Sequence, residues 1–296
     1  MNFLGTSIML PTLYVPEWVR SHQIAVTTVD SIPSRVFKSL SEKISEKQSD
    51  NPLVSIGVIA FNEEKNILTC LSSLAAQKSV YPFEIIVCNN NSTDHTQELL
   101  DKCGVRSILE TRKGVGHARQ ALLDNARGKY LLNADADIIY PETWAEEFVR
   151  MLEKPGIVGV YNVESYLPDE HKKRFGLSLY EIMRDISYIL RGAKRPELCV
   201  GGCSFGFPLE QGRKIGWKTT IRRGEDGSMA FELKKFGKLK FLNNKKTRFW
   251  TAPRSLSDGT LPQLVIKRLV RESRRIKEYF IPEKVGYRDR EENLLK

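Results

Sequence analysis

Apolar positions in this chain repeat with two different periods. Leu53 to Phe61 (LVSIGVIAF) and Glu84 to Cys88 (EIIVC) are near-continuous, β-branched runs bounded by polar turns, the pattern of parallel strands buried on both faces. Between them Ile67, Leu68, Leu71 and Leu74 mark one stripe of a helix over Glu64–Gln77, and Asn91, Ser92, Thr93 and Asp94 offer caps for the helix after the second strand. The unit is βαβα. Arg106–Leu109 predicts a short strand, Lys113-Gly114-Val115-Gly116 a glycine loop opening a helix through Ala126, and Lys129–Asn133 a strand running into Ala134-Asp135-Ala136-Asp137. Beyond Pro141 the pattern is mixed: a helix at Thr143–Glu153, a strand at Ile157–Val163, a helix at Phe175–Leu190, a turn at Gly201-Gly202 and a helix at Glu225–Phe236. The expected class is α/β, a mostly parallel, Rossmann-like sheet joined to a smaller α+β half.

Residues 1–50 are proline-interrupted and then charged, and read as an N-terminal extension ending in a polar helix or linker. A main domain follows over 51–260, divided into halves at 51–140 and 141–260, and 261–296 form a basic amphipathic segment. With 41% hydrophobic and 28% charged residues the composition is that of a globular protein, which excludes a disordered tail or a disulfide scaffold. The five cysteines are scattered, without zinc-ribbon spacing, and fit a reduced cytoplasmic chain. The first twenty residues have no basic lead and carry Pro11 and Pro16, so they read as neither signal peptide nor membrane span.

Net charge is +10, and the excess is local: residues 211–250 hold twelve Lys/Arg against Glu225, Asp226 and Glu232. An anionic partner is implied, and aromatics are not interleaved as an RNA-binding sheet requires, so nucleic acid is not expected. Ligands of an open parallel sheet bind beyond the carboxyl ends of its strands. Three such ends are polar here: Phe61-Asn62-Glu63, Asn89-Asn90-Asn91 and Asp135-Ala136-Asp137. Two carboxylates one residue apart suit a hard divalent cation that keeps positions for water and phosphate oxygens, although Asp-x-Asp alone reads more readily as a turn with a helix cap.

Four segments change that balance. PLVSIGVIAFNEE, EIIVCNNNSTDHT, KGVGHARQALLDNARGKYLLNADAD and RRGEDGSMAFELKKFGKLKF come in the order and approximate spacing of the family-2 glycosyltransferases of GT-A fold, and the chain resembles that family over residues 52 to about 255. The resemblance implies that Ile59, Ala60, Phe61, Asn62 and Glu63 match the motif ending the first strand, with Phe61 packed on the nucleobase and Glu63 near base or ribose. Asn89 falls where the family usually has an aspartate that accepts the uracil N3 proton, which loosens the expected preference for uridine. Asp137 matches the direct metal ligand, and Asp135 lies against the ribose or reaches the metal through water. Lys113, Gly114 and Arg119 match the basic glycine loop and the helix after it. Gly202 falls in the small-residue turn that admits the donor sugar, while Thr251, Arg254 and the Ser-Leu-Ser-Asp-Gly loop resemble a segment closing over the diphosphate. Glu225-Asp226 matches the acidic pair of the acceptor side, with Asp226 as general base and Glu225 orienting it. Both residue types are also favoured in the first turn of any helix.

These matches imply a hexosyltransferase-type enzyme. It would be a metal-dependent (Mn2+ or Mg2+), inverting glycosyltransferase moving sugar from a nucleoside-diphosphate donor to an envelope polysaccharide or lipid-linked acceptor. The Gln-x-x-Arg-Trp motif and the membrane spans of processive relatives are missing, which favours single transfer in the cytoplasm. Leu261–Ile276 sets apolar residues against Lys267, Arg268, Arg271, Arg274 and Arg275, suiting either an anionic membrane surface or a packed helix with a solvated basic face. The alternatives are a sugar-phosphate nucleotidyltransferase, which lacks its G-x-G-T-R-type loop here, and a non-catalytic nucleotide-sugar-binding homologue.

Overall fold

Why the first strands are apolar on both faces is plain in the computed structural model, which describes residues 2–3, 6–7, 10–221, 223–256 and 263–270. Strand β1 (Val54–Ala60) turns Ile56, Val58 and Ala60 to one face of the sheet and Ile59 to the other. β2 (Phe83–Asn89) divides Ile85 and Val87 from Ile86 and Cys88 in the same way. Each face is covered by helices, so both halves of the alternation are mainly apolar, and the buried exceptions Ser55 and Glu84 hydrogen-bond each other at 2.7 Å.

With β3 (Arg106–Leu109), β4 (Tyr130–Asp135), β6 (Ile157–Tyr161), β8 (Ser204–Pro208) and β9 (Lys238–Phe241), these strands form a seven-stranded sheet of order β9-β6-β8-β4-β1-β2-β3. β1 is parallel to both β2 and β4, and β8 runs antiparallel between β4 and β6. One sheet therefore runs through both halves of the chain. A three-stranded sheet, β5 (Ile138–Ile139), β10 (Phe249–Thr251) and β7 (Glu164–Tyr166), stands beside its end.

The helices are α1 (Glu17–His22), α2 (Ser34–Lys47), α3 (Ile67–Ala75), α4 (Thr96–Lys102), α5 (Val115–Asn125), α6 (Trp144–Leu152), α7 (Arg174–Gly192), α8 (Leu209–Ile215) and α9 (Glu225–Leu233). α2, α3 and α6 pack on one face, where Leu40 and Ile44 of α2 join the main core with Leu71, Trp144 and Phe148. α5, α8 and α9 cover the other through Leu122, Leu123, Leu209, Met229 and Leu233. α3 begins at Ile67, where the apolar stripe begins and not at the expected Glu64, because Glu64–Asn66 form a turn and Asn66 takes the N-cap position. Gln48 after α2 pairs its side-chain amide with both backbone groups of Ile85 at 2.8 Å, covering the edge of β2 that short β3 does not reach.

Candidate active site

Chain order along the sheet reverses between β1 and β4, and loops diverge there to leave a crevice beyond the strand ends. A cleft of about 340 Å³ occupies it, lined by Ala60, Phe61 and Glu63 from β1, Asn90 from β2, Asp135 and Asp137 from β4, and Arg254. Asn62 takes a left-handed backbone (φ 55°), tolerated by asparagine. Its N–H donates to Ser92 Oγ (3.0 Å), and its Oδ1 accepts from the Thr93 N–H (2.8 Å). This sharp exit leaves Phe61 at the cleft, 49% exposed.

Asp135 ends β4, and Asp137 lies in the turn to β5. The Asp137 carboxylate is ion-paired with Arg254, whose guanidinium also reaches Glu63 at 3.3 Å. Burial raises Glu63 above the usual carboxylate range, opposed by the Asn66 amide and by Arg254. Asp135 faces Arg119 Nη2 at 3.1 Å, and Arg119 Nε lies 3.5 Å from Asp226 Oδ1. Arg119 is 2% exposed and stacks 5.5 Å from the Trp217 ring. A single buried guanidinium thus stands among Asp135, Asp226 and Glu225, and negative charge exceeds positive. Burial lifts Asp135 to about 6 against the pull of Arg119, with repulsion from Asp137 and Asp226 adding to the rise. Burial and then Asp226 raise Glu225 to about 7, and burial raises Asp226 against Arg119 and the Gly202 N–H.

Gly202 leaves no room for a side chain unless its neighbours move. A Cβ there would lie 2.1 Å from Asp226 Oδ1 and 2.3 Å from Arg119 Nη2. Tyr140 ties this turn to the end of β4, accepting from the Asp135 N–H (3.0 Å) and donating to the Cys203 carbonyl (2.6 Å). α9 opens at Glu225, after Gly224 in the left-handed region, so the acidic pair does sit in a first helical turn.

The structure brings Ala60, Phe61, Glu63, Asp135, Asp137 and Arg254 into one cleft, and joins Asp226, Glu225 and Gly202 to it through Arg119. Asn89 is a correction. Its side chain is 1% exposed and turned away from the cleft, its Nδ2 donating to Gln97 Oε1 (2.9 Å) and its Oδ1 accepting from the Ser92 N–H (3.0 Å), because the alternation of β2 points it into the α4 side. The neighbour Asn90 lines the cleft instead, and it clamps the glycine loop by donating to the carbonyls of Glu110 and Arg112 and accepting from the Gly114 N–H at 2.9 Å. Lys113 and Gly114 lie beside the cleft rather than in its lining, which passes to Val115 and Ala118. Of the loop after Arg254, residues 257–259 lie outside the described residues, as do 261–262 and 271–296 of the basic segment. Sequence reasoning missed Trp217, Tyr140 and Asn90. Only Asn90 carried a signal, its place in a polar strand end.

A family model for glycosyl transferase family 2 matches residues 55–208, slightly more than half of the chain. Among curated proteins, the chondroitin synthase of Escherichia coli is 34% identical over 91 residues, covering 29% of this chain and 13% of that protein. The glycosyltransferase SunS of Bacillus subtilis is 30% identical over 98 residues, 32% of this chain and 22% of its own. This chain therefore spans less than a quarter of either relative. Solved structures with the same fold include a mannosyltransferase of Pyrobaculum calidifontis in complex with GDP-Man and Mn2+, at TM-score 0.56 and 19% identity over 86% of this chain and 77% of that one. Another is S. aureus TarS 1–349 in complex with UDP-GlcNAc, at TM-score 0.51 and 17% identity over 71% and 60%. With a mostly parallel sheet, a cleft at its switch point and the family match across it, the chain belongs to glycosyl transferase family 2 and has the GT-A fold.

Proposed function

We propose that this enzyme is a divalent-cation-dependent, inverting glycosyltransferase. It moves a sugar from a nucleoside-diphosphate donor to an envelope polysaccharide or lipid-linked acceptor, on the cytoplasmic side of the membrane. The observation that carries this reading is the guanidinium of Arg119, which places Asp226 within one side chain of the Asp135–Asp137 turn.

The residues fit a cation that shares its shell with the donor. Asp137 already holds a positive group, the Arg254 guanidinium, where a metal would sit. Among the described residues no three His, Cys, Asp or Glu side chains converge as a self-sufficient cage, so phosphate oxygens and water would complete the coordination. Asp137 would hold the ion directly and Asp135 through water. Mn2+ or Mg2+ bound there would offset the charge of the departing diphosphate.

Phe61 offers its ring to the base and Ala60 backbone to the nucleoside, while Glu63 meets the ribose. Arg254, released from Asp137, turns to the diphosphate oxygens. Gly202 leaves room for the donor sugar beside Asp226. The Asp226 carboxylate takes the proton of the acceptor hydroxyl as its oxygen attacks the anomeric carbon, and the bond to the diphosphate breaks on the opposite face. Glu225 orients this carboxylate, and the Arg119 ion pair favours its ionised, proton-accepting form against the rise that burial causes. The relatives solved with GDP-Man and UDP-GlcNAc support a nucleotide-sugar donor.

The test is Asp226→Asn, which keeps shape and removes basicity. Transfer falls about 10²- to 10⁴-fold while manganese-dependent binding of nucleoside diphosphate, read by calorimetry, persists. Near-normal turnover in this variant refutes the assignment.

A further inference from the structure

Strand β10 separates two environments. Phe249 packs 5.9 Å from Tyr140 in the main core, and alternation turns Arg248 and Trp250, one residue to either side, toward the opposite face. There both line a second cavity of about 220 Å³, together with Ser165, Lys245 and the N-terminal arm, which contributes Tyr14 and Trp18. No acidic side chain lines it, and Glu17, between two lining residues of the arm, is exposed and outside the lining.

Helix α7 stands behind this cavity with its charges turned inward: Ser165 Oγ donates to Glu181 (2.9 Å), and Arg174 stacks 4.9 Å from the Trp250 ring. Arg174 pairs with Glu181 at 2.6 Å, Arg184 with Glu164 at 2.7 Å, and Arg248 with Asp185. Three guanidinium groups meet three carboxylates, so the network is neutral as a set. The unmatched groups are donors of the lining. Arg248 donates through Nη1 to the Glu164 carbonyl (3.2 Å) and through Nη2 to Asn243 Oδ1 (3.0 Å), but its Nε has no acceptor although the residue is 4% exposed. Trp250 is 3% exposed, and its indole N–H donates to no group among the described residues. Lys245 is exposed and pairs with no acid among the described residues. Buried donors left open cost about 1–3 kcal/mol each, so a cavity lined by two of them suits a ligand that brings acceptors.

Size and charge narrow that ligand. The cavity is smaller than the roughly 300 Å³ at which sites for drug-sized ligands begin, which fits a single ring and excludes a nucleotide. Tyr14 and Trp18 offer flat apolar surfaces of the kind that pack on the C–H face of a pyranose. One unmatched cation calls for one negative charge, a carboxylate, in preference to a phosphate monoester at about −1.5 to −2. We propose that this cavity binds a uronate, a pyranose carrying one carboxylate, with its ring against Tyr14 and Trp18 and its acid group received by the Trp250 N–H, Lys245 and the open edge of Arg248. The site is separate from the cleft, yet β10 joins the two, since Thr251 pairs with Ile138, the residue after Asp137. Its purpose, holding an acidic glycan unit beside the cleft, rests on the proposed transfer to a polysaccharide, whereas the binding itself does not.

The experiment follows the indole N–H signals of the four tryptophans in the full chain by nitrogen-15 NMR, with Trp250→Phe assigning the signal of interest. The probes are the methyl glycosides of glucuronate, galacturonate and mannuronate, with methyl glucoside and glucose 6-phosphate as neutral and more highly charged controls. At least one uronate moves the Trp250 signal saturably, and methyl glucoside binds about tenfold more weakly or less. In titrations read from the ligand, with circular dichroism to establish folding, Trp250→Phe and Trp18→Ala each lose about tenfold in affinity, and Lys245→Ala loses two- to fivefold in a salt-sensitive way, about what an exposed charge supplies. A Trp250 signal that no uronate moves overturns the proposal. So do equal binding of the neutral glycoside, tighter binding of glucose 6-phosphate, and wild-type affinity in a folded Trp250→Phe. Nucleoside-diphosphate binding with manganese, measured on the same samples, separates the two readings: its presence without uronate binding fails this cavity alone, and its absence with uronate binding fails the cleft alone.

Discussion

One methyl group at Gly202 tests the whole arrangement around Asp226, the proposed base. A Cβ there would stand 2.1 Å from Asp226 Oδ1 and 2.3 Å from Arg119 Nη2, so roughly an ångström of movement is required before either contact is tolerable. Neither atom belongs to a free side-chain end. Arg119 is 2% exposed, held by Asp135 at 3.1 Å and stacked on Trp217, and Asp226 is held by Arg119 and the Gly202 N–H. Overpacking of this kind costs about 1–3 kcal/mol, a melting point lower by several degrees. The effect on chemistry is larger than the effect on stability, because an ångström of displacement of a catalytic group is worth about 10²-fold in rate. Gly202→Ala should therefore cut transfer by that order. The binding of nucleoside diphosphate, which the proposed function assigns to Phe61, Glu63 and Asp137 across the cleft, should change less than about threefold. Steady-state transfer, or donor hydrolysis with water as acceptor, gives the first figure and calorimetry the second. Wild-type transfer in a folded Gly202→Ala would refute the close packing of Asp226 and Arg119 over this turn.

Arg254→Ala removes the guanidinium that competes for Asp137. Manganese alone should bind about two- to fivefold more tightly, while affinity for nucleoside diphosphate with manganese falls about tenfold; equal effects on both titrations would contradict the dual role. Glu225→Gln should stabilise the metal-free protein increasingly as pH rises. A buried carboxyl raised to about 7 is at no disadvantage below its unfolded value near 4.5, and costs stability as pH climbs through that interval. Thermal melts from pH 5 to 8 should diverge in favour of the variant, with a ceiling of roughly 3 kcal/mol at 1.36 kcal/mol per unit; parallel melts would remove Glu225 from the strained cluster. Asn89→Asp puts a carboxylate against Gln97 Oε1, which cannot flip without losing its 2.8 Å bond to Asp101. Stability should drop by about 1–3 kcal/mol with no change in preference among uridine, guanosine and thymidine diphosphates, and a shift toward uridine would return Asn89 to the base site.

The short-range physics of this chain was legible from residue order alone. Buried parallel strands need apolar side chains on both faces, so β1 and β2 announce themselves as continuous runs, and strand ends that carry ligands are polar in a fold whose interior is not. The Asp135–Asp137 turn was visible for that reason, whereas Phe61 and the acidic pair opening α9 stood out through the family resemblance. Three matters were decided only by the tertiary structure. Which asparagine of Asn89-Asn90 faces the cleft depends on the phase of β2 against α4, and a one-residue choice of phase is invisible in a run of identical residues. The coupling of Asp135 to Asp226 runs through Arg119 and Trp217, residues 98 positions apart in the chain that meet only because α5 packs beside the loop before α9. The face of α7 escaped as well: periodicity marks an apolar stripe, and whether that stripe points inward or outward is settled by where Glu164 and Arg248 stand to receive the helix's own charges.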